Sequence, residues 1–158
     1  MVDRRPLIGE LSAEDIVRRL VQTAQDSPYP VYGVNLYCDM LAWNRAATTF
    51  YTDFGSLPAG ERNMLRWLLS AQEAKERLPD WHDDVPDVVA RWRMMTPPDD
   101  PRFQDTVAEF QRISPEFCRW WEEHDVLEHR IRTRRFQHPV HGEQTMLLIV
   151  VQAPEIDP

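Results

Sequence analysis

Glycine and cysteine are scarce in this chain of 158 residues, which contains five of the former and two of the latter. With so few glycines, the sequence has no glycine-rich loop of the kind that holds phosphate groups, and nucleotide-binding folds that depend on such a loop are excluded. The two cysteines, Cys38 and Cys118, lie far apart, and no secretory signal precedes them. We therefore predict reduced thiols in a cytoplasmic protein rather than a disulfide framework.

Long hydrophobic runs and an excess of basic residues are missing as well. The longest apolar run, Met146–Val151, has six residues, far fewer than the roughly 20 that a membrane span needs. The net charge of −8 repels the phosphate backbone of DNA. We expect neither membrane insertion nor direct DNA binding.

Proline and tryptophan, in contrast, are abundant, with 13 of the former and six of the latter. The length suits one domain, which at this size buries roughly two-thirds of the surface that the unfolded chain exposes. We predict a disordered N-terminal segment at 1–10, one folded domain at 11–154 and a short tail at 155–158.

The first part of the predicted fold is a helix followed by a hairpin. Ser12 is a helix-capping residue with Asp15 three positions later, and apolar residues then recur at helical spacing. Residues 31–37 predict a strand, and Met40–Trp43 predicts its antiparallel partner after a short turn.

Helical patterning follows over residues 44–125, with breaks where proline falls, and Met64, Leu65, Leu68 and Leu69 form an apolar stripe within it. Ser114 and Pro115 are typical of a helix start, because serine caps the helix and proline fits its first position. Beyond the helices, residues 127–138 alternate weakly, whereas residues 144–153 are apolar on both faces, as in a strand at the middle of a sheet. We predict a single-domain α+β fold in which both hairpins join one antiparallel sheet and the helices form a layer on one face.

A set of short motifs is specific enough to indicate a family. The motifs are Leu41-Ala42-Trp43-Asn44-Arg45-Ala46-Ala47, Asp53-Phe54, Arg62-Asn63, Asp80-Trp81, Ser114-Pro115-Glu116-Phe117, Trp120 or Trp121, His124-Asp125-Val126 and His138-Pro139 through Gly142. In order and spacing they resemble the MmyB-like ligand-binding domain of actinobacterial helix-turn-helix transcription regulators, over roughly residues 10 to 145. The resemblance implies a PAS-like fold, an apolar cavity for a fatty-acyl type ligand, and control of genes, often for secondary metabolism such as antibiotic biosynthesis.

The sequence departs from this family in two places. The family usually carries a helix-turn-helix domain ahead of this region, whereas about ten residues precede the first predicted helix here, so DNA binding is not carried over. After Gly142 the family usually has room for two more strands, and this chain offers one. A missing edge strand would expose a surface for a partner or for a second copy of the chain.

Trp43 and Asn44 form the strongest candidate site, since a strand-to-helix junction places an aromatic wall and an amide beside the sheet. The alternative is that Asn44 caps the next helix and Trp43 fills the core. The two interpretations of Asn44 are compatible.

Aromatic and methionine side chains could line a cavity, because indole rings resist collapse and thioethers adapt to varied ligands. The aromatic residues that we assign to ligand binding, besides Trp43, are Phe54, Trp67, Trp92, Phe117, Trp120 and Trp121. The alternative is a packed core in which these side chains touch one another and no ligand.

Arginines alternate at 130, 132 and 134, which places three guanidinium groups on one strand face, with Arg135 adjacent. One of them could hold a ligand carboxylate at the cavity mouth, and we assign Arg132 to this role. The alternative is a solvated face balanced by nearby acidic residues. His138 completes the predicted ligand-binding set, although it also resembles a turn anchor.

The sequence suggests no catalytic residue, no metal ligand and no cofactor. His124 and His129 are five residues apart and would leave one helical face, and both thiols are remote from them in sequence. Cys118 lies among aromatic residues, where a buried thiol is inert.

Three hypotheses for the function follow from these features. The first is a stand-alone PAS-like module that binds an apolar or amphipathic small molecule and changes its contacts to a partner on binding. The second is a small biosynthetic enzyme or cyclisation chaperone built on a sensor fold. The third is a partner protein that needs no ligand and pairs with helix-turn-helix regulators, or with itself, through a sheet edge.

Overall fold

A computed structural model gives the positions of the helices and strands, and it describes residues 11–123 and 132–153. The helices are α1 (Ala13–Thr23), α2 (Arg45–Phe50), α3 (Met64–Ser70), α4 (Gln72–Arg77), α5 (Trp81–Met95), α6 (Pro101–Ile113) and α7 (Pro115–Glu122). The strands are β1 (Tyr32–Val34), β2 (Met40–Trp43), β3 (Arg132–His138) and β4 (Gly142–Leu148), and short 3-10 turns occur at Phe54–Ser56 and Ala59–Glu61.

Helix α1 begins where the sequence predicts it. The Ser12 hydroxyl accepts a hydrogen bond from the Asp15 backbone N–H at 3.1 Å, and the Asp15 carboxylate accepts one from the Ser12 N–H at 3.1 Å. This reciprocal pair is a capping box, which satisfies two N–H groups that have no partner inside the helix. The helix then packs across the first hairpin.

Gly33 on β1 makes this close packing possible. A Cβ atom at this position would overlap the Val17 side chain of α1. Valine is branched at Cβ and cannot rotate away easily. The backbone of the strand therefore approaches the helix more closely than any larger residue would allow.

Replacing Gly33 with alanine is expected to lower the free energy of unfolding by about 1–3 kcal/mol, because α1 must move off the hairpin to relieve the overlap. Gly60→Ala is the matched control, since a Cβ at that exposed position meets nothing within 4 Å, and its effect is expected to stay within about 0.5 kcal/mol. Urea unfolding of the two variants measures the difference. Equal effects at both positions would contradict the close contact between α1 and β1.

The turn of the first hairpin is fixed to the helices. The Leu36 carbonyl accepts hydrogen bonds from the Trp92 indole at 2.8 Å and from the Thr96 hydroxyl at 3.2 Å. Tyr37 donates its hydroxyl to the Asp100 carboxylate at 2.6 Å. Cys38, between these contacts and β2, has a φ of 66°, a left-handed conformation that few residues other than glycine adopt. The turn is thus bound to α5 and to the start of α6.

One hydrophobic cluster runs through helices α2 to α7 and reaches β2 and β3. The apolar stripe predicted on α3 is confirmed, because Met64, Leu65, Leu68 and Leu69 are all buried. The start predicted at Ser114 is confirmed as well, since its hydroxyl accepts the Phe117 N–H at 3.1 Å. Serine at the cap and proline at the first helical position together define this helix end.

The α+β class is confirmed, but the described strands pair as two separate antiparallel hairpins, β1 with β2 and β3 with β4. The single sheet that we predicted is therefore not formed within residues 11–123 and 132–153. The reason is that the hairpins pack on different helices: β1 and β2 lie against α1, whereas β3 contacts α2 and α4.

The prediction of a strand buried on both faces at 144–153 is wrong. Strand β4 ends at Leu148, and its residues alternate between half-buried and exposed. Leu147 and the following Ile149 are 56% and 72% exposed. With one pairing partner and one packed face, β4 shows the period-two exposure of a sheet that faces solvent on one side.

Several predicted segments lie wholly or partly outside the described residues. They are the N-terminal segment at 1–10, residues 124–125 of the predicted helical region, residues 127–131 of the strand predicted to end at His138, residue 154 and the tail at 155–158.

Candidate functional site

Asn44 ties three segments together at the junction between β2 and α2. Its side-chain oxygen accepts the N–H groups of Val31 and Ala47, both at 2.9 Å. Its amide nitrogen donates to the carbonyls of Ala24 and Tyr29, at 2.9 and 2.8 Å. With an exposed fraction of 1%, Asn44 is the helix cap that one of our two interpretations predicts. All four hydrogen-bonding positions of its amide face the protein itself.

An aromatic cluster lies next to this junction, between the two hairpins and helices α2 and α3. Its centre is Tyr51, which is 1% exposed and whose ring lies 5.2 Å from that of Phe136 and 6.0 Å from that of Trp67, centroid to centroid. We call this group the Tyr51 cluster. Its members are Tyr32, Trp43, Phe50, Tyr51, Phe54, Trp67, Phe136 and His138.

A buried charge lies within the Tyr51 cluster. Arg134 of β3 is 5% exposed, and its Nη1 donates a hydrogen bond to the Tyr51 hydroxyl at 3.0 Å. Burial opposes the charge on Arg134, but the neighbouring phenol groups of Tyr51 and Tyr32 outweigh it and raise the pKa of the guanidinium. Burial also raises the pKa of Tyr32. The group therefore places a guanidinium cation beside the hydroxyls of Tyr51 and Tyr32, among aromatic rings.

A second aromatic cluster holds helices α5, α6 and α7 together. We call it the Trp92 cluster, and its members are Trp92, Phe103, Phe110, Phe117 and Trp121. The centroids of Phe117 and Trp121 are 5.4 Å apart, and the Arg93 guanidinium lies over Trp121 at 4.1 Å. Such closely spaced rings make a packed core, the alternative that we left open for these residues.

The predicted aromatic residues thus fall in three places. Trp43, Phe54 and Trp67 come together in the Tyr51 cluster. Phe117, Trp92 and Trp121 belong to the Trp92 cluster, and Trp120 packs on Trp81 with centroids 5.3 Å apart. Contact of any of these residues with a ligand stays a prediction.

The arginines of β3 differ in their partners. Arg132, which we assigned to a ligand carboxylate, forms an ion pair with Asp87 of α5. Arg135 donates two hydrogen bonds to Asp80, at 2.7 and 2.6 Å, and these lower the pKa of that carboxyl. Arg134 is the arginine that the fold carries into the aromatic interior. The alternating pattern at 130, 132 and 134 pointed to this strand face, but not to which member is buried.

His138 acts as a turn anchor at the end of β3. Its Nδ1 accepts the backbone N–H groups of Val140 and His141, both at 3.0 Å. Its ring also packs on Phe50, at 5.0 Å between centroids. Burial and the neighbouring His141 lower the pKa of His138, which keeps Nδ1 available as an acceptor.

A polar cleft that the sequence did not indicate lies beside the first hairpin turn. It has a volume of about 180 Å³ and adjoins a wider depression of about 550 Å³, and the two share Asp39, Gly60 and Arg102. Arg102 pairs with Asp39 and lies over the Tyr37 ring at 4.0 Å from the centroid. Charged and polar side chains line much of this cleft, including the ion pairs Arg102–Asp39 and Arg66–Glu109, so it does not offer an apolar surface to a ligand.

The remaining sequence predictions concern thiols, metals and membranes. Both cysteines are free, and burial raises the pKa of the Cys38 thiol to about 12. Within the described ranges, no three His, Cys, Asp or Glu side chains form a group that could hold a metal ion. The helices described here are also too short or too polar to cross a bilayer. His124 and His129 lie outside the described residues.

Protonation of Asp100 is expected to lower the free energy of unfolding at acidic pH. The Tyr37 hydroxyl and the N–H groups of Phe103 and Arg102 hold its pKa below the ordinary value of 3.8. A carboxylate with a lowered folded-state pKa stabilises the fold above the unfolded pKa, and the contribution is lost as the pH falls through the folded pKa. As the pH falls from about 5 to about 2, the free energy of unfolding of Asp100→Asn is therefore expected to decrease less than that of wild type. Urea unfolding over this range, with exposed Asp99→Asn as control, measures the effect, and identical pH slopes for all three proteins would contradict it.

The comparisons with known proteins agree with the motifs in the sequence. Residues 7–157, nearly the whole chain, match the family model of the MmyB-like transcription regulator ligand binding domain. A comparison with curated proteins gave no match. The chain belongs to the MmyB-like transcription regulator ligand binding domain family.

Proposed function

We propose that this domain binds an apolar or amphipathic small molecule in the Tyr51 cluster and that binding changes its contacts to a partner. Family membership supports a ligand-sensing regulatory module. The observation that carries the location is the combination, at one place, of packed aromatic rings from both hairpins and a buried polar group, Arg134 with Tyr51. Ligand sites typically combine mostly apolar walls with a few placed polar groups.

Binding at this place requires the cluster to open. The rings of Trp43, Phe54 and Trp67 are in contact, at 6.0 and 5.9 Å between successive centroids. A ligand would therefore bind an open state that is a minor population of the free protein, and it shifts the population by its higher affinity for that state. This movement separates the hairpins from α2 and α3, which gives the ligand a way to change the outer surface.

An aliphatic chain can supply the energy for this opening. Burying one methylene group contributes about 0.8 kcal/mol, so a chain of about 14 carbons gains about 10 kcal/mol before the costs of association. The opening and the loss of ligand freedom reduce this gain, yet micromolar affinity, which corresponds to about 8 kcal/mol, stays within reach. We infer a fatty-acyl-like molecule or a natural product of similar character.

The regulatory role is the second part of the proposal. We infer that the domain acts in the cytoplasm of an actinobacterium, that it does not itself contact DNA, and that it influences transcription of secondary-metabolism genes. Its partner would be a helix-turn-helix regulator or a second copy of the chain. The exposed apolar residues at the end of β4, Leu147 and Ile149, support a protein contact there.

A chain-length series tests the binding proposal. The purified protein is stripped of bound lipid and titrated with octanoic and tetradecanoic acids while tryptophan fluorescence and Tm are recorded. We expect both acids to raise the Tm and the affinity to increase with length, by up to about fourfold per methylene until the cluster is filled. If neither acid changes the fluorescence or the Tm, the domain does not bind such molecules. The partner-protein hypothesis would then gain support.

A further inference from the structure

Strand β4 has an outer edge that no described strand covers. It pairs with β3 along its whole length, Gly142–Leu148, and no other strand pairs with it within residues 11–123 and 132–153. Strand β3 packs against α2 and α4, whereas β4 contacts chiefly β3. Alternate backbone N–H and C=O groups along the outer edge of β4 therefore point away from the hairpin, where another strand can pair with them.

A strip of apolar side chains runs along the end of this strand and just beyond it. We call it the β4 strip, and its members are Leu147, Ile149, Val150 and Val151, which are between 56% and 73% exposed. Residues 144–152 contain no charged residue and no proline, although the chain has a net charge of −8. Soluble proteins commonly protect an edge strand with charge, proline or a bulge. The end of β4 has the composition of a strand that is covered by another strand.

The sequence of this segment is complementary to itself. Two identical strands related by a two-fold axis pair antiparallel, so that residue i faces residue j and residue j faces residue i. With Leu148 on the axis, all opposed residues are uncharged and the exposed apolar residues face apolar residues or threonine. The resulting pairs are Gln144–Gln152, Thr145–Val151, Met146–Val150, Leu147–Ile149 and Leu148–Leu148. Opposed side chains of antiparallel strands lie on the same face and contact each other.

Strand β3 does not offer a second edge of this kind. It contains Arg132, Arg134 and Arg135, and like charges that face each other across two copies of such a strand would repel. Pairing through β4 therefore uses the suitable edge of each copy once. An interface in which the same surface is used on both copies closes at two subunits and does not extend into a filament.

We propose that two copies of this chain pair antiparallel through the outer edges of β4, which joins their hairpins into one four-stranded sheet about a two-fold axis at Leu148. The inference rests on the partner contact in the proposed function and names that partner as a second copy of the chain. Pairing covers the β4 strip of both copies and provides acceptors and donors for the backbone groups of the edge.

The oligomeric state of the wild-type chain and of two variants tests the proposal. Sedimentation from about 1 to 100 µM is expected to show a monomer–dimer equilibrium. Leu147→Lys should raise the dissociation constant at least about 30-fold, because the two-fold axis places the change in the interface twice. Thr133→Lys is the matched control, since Thr133 lies opposite Leu147 in the hairpin and is exposed, but belongs to β3; its effect should stay within about threefold.

A charge-swap experiment tests the register. Ile149→Glu alone should weaken the dimer as Leu147→Lys does, and both positions are exposed, so the fold is expected to tolerate either change. In a mixture of the two variants, Lys at 147 of one copy faces Glu at 149 of the other, and the second pair is the wild-type Leu147–Ile149. With one variant fluorescently labelled, we expect a mixed dimer with a dissociation constant at least about tenfold lower than that of either variant alone.

Three results would overturn the inference: a wild-type chain that stays monomeric over this range, a dimer that Leu147→Lys leaves intact, or a mixture that pairs no better than its components. Tetradecanoic acid binding is recorded on the same samples. Leu147→Lys should keep the wild-type affinity for the acid, since Leu147 lies outside the Tyr51 cluster. A monomer that binds the acid means that this inference fails alone, whereas a β4-paired dimer that does not bind the acid means that the binding proposal fails alone.

Discussion

Replacing Asn44 with alanine is expected to lower the free energy of unfolding by about 3–5 kcal/mol, because the change removes four buried hydrogen bonds at once. The N–H groups of Val31 and Ala47 and the carbonyls of Ala24 and Tyr29 would lose their partner. Loss of the helix cap at α2 is part of this effect and is worth about 1 kcal/mol in other proteins. Urea unfolding, followed by tryptophan fluorescence, measures the loss.

Two further variants separate the cap from the rest of the Asn44 network. Asn44→Asp keeps the oxygen that accepts from Val31 and Ala47 but places a negative charge against two carbonyl oxygens, so it should also destabilise the protein. Thr49→Ala, at an exposed position of the same helix, should change the free energy of unfolding by no more than about 0.5 kcal/mol. An Asn44→Ala variant as stable as wild type would mean that Asn44 does not hold α1, the hairpin and α2 together.

Truncation of Phe117 is the second change with a large expected effect. Phe117 is completely buried, and its ring contacts those of Phe110, Trp92 and Trp121. Phe117→Ala leaves a cavity at the centre of the Trp92 cluster, and we expect the free energy of unfolding to fall by about 3–5 kcal/mol. Phe117→Leu, which retains most of the volume, is expected to cost less than about 1.5 kcal/mol. A small effect of Phe117→Ala would indicate that the three helices are not held by this cluster.

A matched pair of milder variants relates this stability to ligand binding. Phe54, in the Tyr51 cluster, is as deeply buried as Phe117, so Phe54→Leu and Phe117→Leu should destabilise the free protein by similar amounts. Only Phe54→Leu is expected to change the affinity for tetradecanoic acid, by about three- to tenfold, because only Phe54 lies where we place the ligand. Fluorescence titration measures both affinities. A change of equal size in Phe117→Leu would place the ligand elsewhere or spread it over both clusters.

Local rules explain why much of the helical layer could be predicted. Ser12 with Asp15, and Ser114 with Pro115, fix helix starts through hydrogen bonds and backbone angles that involve neighbours in sequence. The apolar spacing on α3 predicted its buried face for the same reason. These features depend on a few adjacent residues and hardly on the rest of the fold.

Tertiary contacts explain the parts that could not be predicted. The apolar segment after Gln144 has the sequence pattern of a buried strand. Its exposure, however, depends on what packs against β4, and within the described residues β4 pairs with one strand, β3. The prediction that both hairpins join one sheet is wrong because each hairpin packs against different helices. Sequence alone contains no signal for that choice.

The candidate site was predictable in its composition and not in its arrangement. The predicted aromatic set is divided among three places, and only Trp43, Phe54 and Trp67 come together in the Tyr51 cluster. The sequence does not show this division, because a tryptophan that lines a cavity and one that is packed in a core have the same sequence pattern. Arg134 could not be told from Arg132, since both have the same period-two spacing on β3. The burial of one and the ion pair of the other follow from where α5 and the Tyr51 cluster meet the strand.

The most direct test of a small molecule held in the Tyr51 cluster is a comparison of the native and denatured masses of the protein as purified. The account predicts an added mass of a few hundred daltons in the native protein, either from a ligand retained through purification or from tetradecanoic acid added in excess, and this mass is released on unfolding. A native mass equal to that of the bare chain, which tetradecanoic acid added in excess does not change, would contradict it.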